Sequence, residues 1–428
     1  FIIIIIIIII IYYLDKKSIT ILIVMSSNGI LYTNDSLKIL EFLFNNSYEN
    51  NHYSQELEGM DPIVFRDLYD FLKNIEKRKY CMKTVLENIS REVKIHDFSL
   101  NKYVAKDVCS YIKININVRY DYVLRIDNKV VNICIKCHKH LSENKFNIML
   151  KRIIYAISTV VNISDEPKTI DMVIYLTPCK KKLTGGLTKR ESLKVEEINS
   201  GSTLCTHQPH VIVCREEEFY KVIIHELIHA MNYDIKSDIN SISEIIKNKM
   251  NIELPHNQFE AYTEIWANIL NAYFMANVMN LEKPEDTFNL FMELIQYERL
   301  WSLYQVSKVL YLTDCDINHN NDSHIQYNKL CKLNLHTNVF AYFILRSFLM
   351  FNINDFLKNM KKNNKNHIDL NGDIQRYNEY CLEIINKTIY NRHYKSLLKK
   401  NIEYLLKIKN NKKFLQKTLR MSACELKL

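Results

Sequence analysis

Strand-like alternation is confined to one stretch of this chain, residues 121–215, and helical periodicity fills the sequence on both sides of it. DYVLRI and KVVNICI alternate apolar and polar residues around the turn-prone pair Asp127-Asn128, which predicts a β-hairpin. ENKFNIMLKRIIYAISTVV then has helical spacing, TIDMVIYLTP predicts a strand that ends at Pro178, and STLC and HVIVCR predict two short strands. Upstream, SLKILEFLF and PIVFRDLYDFLKNIEK read as helices. Nearly everything beyond residue 258 does too, apart from the polar break TDCDINHNNDSH. Strands gathered in the middle with helices on either side predict an α+β fold, a small mixed sheet with helical additions at both ends. The expected organisation is a helical region over 25–115, a core over 116–280, and a helical region with a basic tail over 281–428.

Composition narrows the class. With 47% hydrophobic and 25% charged residues, the 428-residue chain can bury a real core, and disorder is not the default. The net charge of +9 is uneven: residues 351–428 hold 17 Lys and Arg against 7 Asp and Glu. Such a tail reads as solvated lysines on surface helices, since no aromatic-interleaved nucleic-acid module or zinc knuckle accompanies it. The eleven cysteines, an odd number in a long chain, point to a reducing, intracellular (cytoplasmic) compartment. Cys134-Ile135-Lys136-Cys137-His138 matches the CxxCH spacing of haem attachment, but it lies in an alternating strand with no second Cys pair and reads as structural. FIIIIIIIIIIYYL at the start is shorter than the roughly 20 apolar residues that cross a bilayer and lacks signal-peptide flanks. Residues 1–24 are expected to be a low-complexity extension outside the fold, the first methionine being Met25. A genuine anchor there would instead place the protein at a membrane.

Within VIIHELIHAMNYD, residues 222–234, sits the pentamer His225-Glu226-Leu227-Ile228-His229. HExxH can arise by chance, so its context decides. Tyr220, Ile223, Ile224, Leu227, Ile228 and Met231 form a complete core stripe at helical spacing, leaving His225 and His229 together on another face with Glu226 beside them. Two imidazoles one turn apart can converge on one ion. Downstream, Tyr262, Ile265, Trp266, Ile269, Leu270 and Tyr273 make a second stripe, with Glu260 and Glu264 off it. Two such helices together can supply His, His and Glu to a metal.

These motifs resemble the gluzincin class of zinc metallopeptidases, the thermolysin-like zincins, whose HExxH helix is followed by a glutamate helix of ExxxD type. The resemblance covers about residues 195–275, and looser similarity extends to uncharacterised metallopeptidases of large DNA viruses. It implies a zincin-like core and one Zn²⁺ per chain. His225, His229 and Glu260 would be ligands, Glu226 the general base that works on a zinc-activated water, and Glu264 an outer carboxylate or an alternative ligand. It implies a peptide or protein substrate, which could pair with an edge strand, NSGSTLC or HVIVCR. Tyr or His is the usual oxyanion donor, and His319, His324, Tyr327 and Tyr342 all qualify by position. The competing reading is a zinc-binding, non-catalytic interaction protein that uses a zincin scaffold and basic carboxy-terminal helices.

Three further features have mainly structural readings. Gly185, Gly186 and Gly201, in a chain with only six glycines, mark turns or a close backbone approach. Asp314, Asp316, His319 and His324 in the polar break match no metal-loop spacing. NVFAYFILRSFLMF reads as a buried helix in which Arg346 could anchor a peptide carboxylate.

Overall fold

The structure is a computed structural model that describes residues 31–45, 57, 59–80, 84–88, 104–188, 193–234, 258–313, 338–364, 366–370, 374–408 and 413–428. Six strands, β1 (Thr84–Asn88), β2 (Val118–Ile126), β3 (Lys129–Cys137), β4 (Lys168–Leu176), β5 (Gly201–Leu204) and β6 (His210–Val213), form one sheet in the order β1-β2-β3-β4-β6-β5. β3, β4 and β6 run parallel, and the remaining pairs are antiparallel. The protein is therefore α+β with a small mixed sheet. The β2–β3 hairpin turns at Asp127-Asn128, where Asp127 takes φ 56°, the left-handed geometry that short hairpin turns need. The helical reading of 25–115 missed β1. Its five residues carry no alternation of their own, and they become a strand by pairing along β2, Thr84 opposite Ile126 and Asn88 opposite Tyr122.

In chain order the helices are α1 (Asn34–Phe44), α2 (Pro62–Tyr80), α3 (Lys106–Asn115), α4 (Glu143–Val161), α5 (Val195–Ile198), α6 (Phe219–Ala230), α7 (Gln258–Val278) and α8 (Pro284–Leu312). A π-helical segment (Phe340–Leu345) then leads into α9 (Arg346–Phe351), α10 (Ile353–Asn363), α11 (Ile374–Ile389), α12 (Arg392–Lys407) and α13 (Lys413–Lys417). Ile133, Ile135, Ile170, Met172, Ile174, Val211 and Val213 face a core shared with α4, α6, α7 and α8. The opposite face, with Cys134, Val173, Tyr175, Ile212 and Cys214, packs under Val108 and Ile112 of α3. Cys134 and Cys137 thus lie in different cores on opposite sides of the sheet, so the CxxCH spacing cannot converge on one group. His138 Nδ1 is 2.8 Å from the Asn115 carbonyl. The eight described cysteines are free thiols.

The helix with the pentamer, α6, is not amphipathic in the ordinary sense. Its apolar stripe is buried as phased, but Lys221, His225 and Glu226 on the other faces are buried too, because β5 covers one side and α7 another. Truncating Ile223 or Ile228 there, both fully buried, would cost about 2–5 kcal/mol.

The end of the chain departs most from expectation. Beyond α13, residues 418–428 form an extended, mostly buried segment rather than part of a basic helix. Side chains take the place of helical backbone partners: Trp301 Nε1 and Gln305 Nε2 donate to the Arg420 carbonyl, Lys308 Nζ to those of Leu415 and Thr418, and Arg346 to that of Met421. Among the described residues no helix is long and apolar enough to cross a membrane. Residues 1–24 and the acidic and histidine residues of the 314–324 break lie outside the described residues.

Candidate metal centre

Local chain chemistry fixes both ends of α6. At its start Glu218 is held at φ 59°, an uncommon conformation for a residue with a side chain. Its buried carboxylate sits 2.6 Å from Lys181 Nζ and accepts the Ser422 amide, while the Glu425 carboxylate accepts the Glu218 amide. Two opposing influences act on the Glu218 carboxyl. Burial would raise its pKa, but Lys181, Lys221 and Arg420 outweigh that and lower it. At the other end, Asn232 takes φ 58°, its amide donating to the His229 carbonyl and the Tyr233 amide to that of Ile228. This pair of bonds is a Schellman turn with asparagine in the usual glycine position. The turn reverses the chain and returns Asp234 to the helix, Oδ2 lying 2.6 Å from His229 Nδ1.

On the inner face, His225 Nε2 and His229 Nε2 are 3.2 Å apart. Glu260 Oε2, from the first turn of α7, lies 3.5 Å from the first and 3.3 Å from the second. Zinc–nitrogen and zinc–oxygen bonds of about 2.0–2.2 Å put tetrahedral ligand atoms about 3.3–3.5 Å apart, so these three atoms already have the spacing of ligands. Glu260 Oε2 is buried and has no hydrogen-bond partner among the described residues, although it faces both imidazoles. Asn338 Nδ2 donates to its other oxygen at 3.3 Å. Among the described residues, these three side chains are the group that could hold a metal ion.

Glu264, one turn further along α7, does not join the cluster through Nε2. Its Oε1 stands 3.1 Å from His225 Nδ1, on the far side of the ring, and both its oxygens accept from Lys221 Nζ. Each histidine therefore has a carboxylate behind it, Glu264 for His225 and Asp234 for His229. Arg346 Nη1 is 3.7 Å from Glu264, so the anion this fully buried arginine meets belongs to the protein and not to a bound peptide.

Charge explains the titration. Burial would lower the His229 pKa, but Asp234 and Glu260 overcome it and raise it well above 6.5. For His225, burial is likewise outweighed, by Glu264 and Glu260. Burial works to raise the Glu260 pKa, and the two imidazoles more than reverse it.

Glu226 points instead towards the sheet. Thr203 Oγ1 donates to Glu226 Oε2 at 2.7 Å, from the edge strand β5. A Cβ on Gly201 would come within 2.7 Å of Glu226 Oε1, 2.8 Å of Val222 Cγ1 and 2.9 Å of the Ile212 carbonyl oxygen, so the rare glycine marks a true close approach. Burial raises the Glu226 pKa above 4.5 against the pull of His225, His229 and Thr203. Of the four oxyanion candidates, Tyr342 falls beside the cluster, its ring centroid 6.3 Å from that of His225; His319, His324 and Tyr327 lie outside the described residues.

Sequence reasoning missed Asp234, Thr203, Lys221 and Asn338. Lys221 had a legible signal, since 221, 225 and 229 share one helix face, and so did Asp234, two residues after a helix-ending asparagine. Thr203 and Asn338 arrive through tertiary contacts that no local pattern records.

The chain has a viral relative. It is 24% identical over 363 residues to "Uncharacterized protein R210" of Acanthamoeba polyphaga mimivirus, an alignment that takes in 78% of this chain and 85% of that protein. No family model and no solved structure matches it.

Proposed function

We propose that the chain is a zinc-dependent peptidase with a zincin-like core of the gluzincin type, binding one Zn²⁺ through His225, His229 and Glu260. The supporting observation is the triad of ligand atoms 3.2–3.5 Å apart on two helices, with an unliganded glutamate beside it. A zinc ion there supplies Lewis acidity and a water acidic enough to ionise near neutral pH. Glu226, next to His225 and outside the triad, would accept a proton from water there and return it to the leaving amine. Thr203 holds one oxygen of that carboxylate, fixing its orientation during both transfers. Tyr342 donates to the developing oxyanion. Burial and the charges of Glu260, Glu226 and Glu264 push its phenol well above 10, so it remains a protonated donor across the working range. β5 ends the sheet, and its outer edge suits an extended peptide added as a further strand.

Metal analysis beside a peptide-cleavage screen of wild type, His225→Ala and Glu226→Gln tests the reading. Wild type should hold about one zinc and cleave, His225→Ala should lose the metal, and Glu226→Gln should keep it without turnover. Cleavage by Glu226→Gln at the wild-type rate would remove the proposed base. Zinc in wild type with no cleavage of any peptide would favour the scaffold reading.

A further inference from the structure

The sequence of α6 buries a lysine one turn before its first histidine. Lys221 is 2% exposed, four residues before His225, and its ammonium contacts both oxygens of Glu264. Taking an ammonium out of water is expensive, and well-packed apolar side chains often serve stability as well as a buried ion pair does. Packing alone therefore gives little reason for a lysine here. Its position gives another. Glu264 stands 3.1 Å from His225 Nδ1, and its carboxylate serves that ring only while correctly aimed. Lys221 Nζ holds both oxygens of that carboxylate from one side, and Arg346 Nη1 lies 3.7 Å from it. Asp234 reaches the His229 ring from a turn only five residues away.

We infer that Lys221 is a positioning residue for the metal. It clamps Glu264 beside His225 Nδ1, which fixes the ring with Nε2 facing the triad. The inference rests on the zinc reading above and adds a residue that touches neither metal nor substrate. A purely structural ion pair would contribute to folding, but metal affinity would not depend on it separately.

The full chain as wild type, Lys221→Met, Lys221→Arg and the double variant Lys221→Met/Glu264→Gln is compared in two measurements. One is zinc affinity by competition with a chromophoric chelator, and the other is thermal melting of the metal-free protein. Lys221→Met should bind zinc about 10–100-fold more weakly, the usual cost of losing an outer partner. Lys221→Arg should lie between it and wild type. The double variant removes the stranded buried carboxylate, so its melting temperature should recover while its zinc affinity stays low. If Lys221→Met does not fold, the arginine and double variants carry the same comparison. Wild-type affinity in Lys221→Met, or affinity that recovers together with melting in the double variant, would overturn the inference alone. Absence of zinc binding by wild type itself would overturn the metal reading and this inference with it.

Discussion

Two walls enclose α6, and they do different work. The helix wall, α7, reaches the imidazoles with charge: Glu260 faces both Nε2 atoms and Glu264 stands behind His225. The sheet wall, β5, reaches Glu226 through one hydroxyl, and one glycine's missing side chain lets the strand come close. One wall makes a place for a cation, and the other shapes a carboxylate. Metal occupancy and turnover should therefore separate cleanly by mutation, according to which wall is touched.

The largest effect is expected on the helix wall. Glu260→Gln removes the charge of the proposed third ligand, and zinc affinity should fall on the order of 1000-fold, beyond the 10–100-fold an outer partner costs. Isothermal titration or chelator competition reads this directly, and near-normal affinity would move the third-ligand role to Glu264. On the sheet wall, Gly201→Ala should lower kcat about 100-fold with zinc retained, because β5 must shift away from Glu226. Loss of metal in this variant would merge the two walls. Asp234→Asn keeps the shape and weakens the acceptor behind His229. A 10–100-fold loss of zinc affinity with little change in melting is expected.

A smaller effect separates the walls by pH. Thr203→Val deletes a hydrogen bond to the Glu226 carboxylate and so raises an already raised pKa. The acid limb of kcat/KM should move up by about one pH unit with zinc affinity unchanged. The smallest effect belongs to a control outside both walls. Burial alone pushes Glu293 on α8 up to about 8, and its Oε2 has no hydrogen-bond partner among the described residues. With a folded pKa above the unfolded 4.5, its contribution to stability is full below about 4.5 and is lost as pH rises through about 8. Glu293→Gln should therefore melt higher than wild type near pH 9 and match it near pH 5, and an equal change at both would mean the carboxyl is already ionised in the fold.

How much of this was legible depended on distance along the chain. Period-two alternation found the β2–β3 hairpin and β4. Helical spacing found α4 and the two helices of the candidate centre, α6 and α7, because each pattern repeats within one element. The phase of VIIHELIHA separated histidines from core stripe correctly, yet suggested a half-exposed helix. Burial of its second face depends on β5 and α7, which no single-helix pattern can contain. The end of the chain was misread for the same reason: TLRMSACEL carries lysine-rich neighbours and no period. Its backbone partners, Trp301, Gln305, Lys308 and Arg346, lie 75–119 residues away.

That buried end also bears on how the protein is made. Chains grow from the amino terminus, and domains begin to fold while synthesis continues. Glu425, whose carboxylate accepts the Glu218 amide at the entrance to α6, is added about two hundred residues after the pentamer. A nascent chain can carry all three triad residues long before it has this cap, so the entrance to the helix is completed only after many further residues have been added.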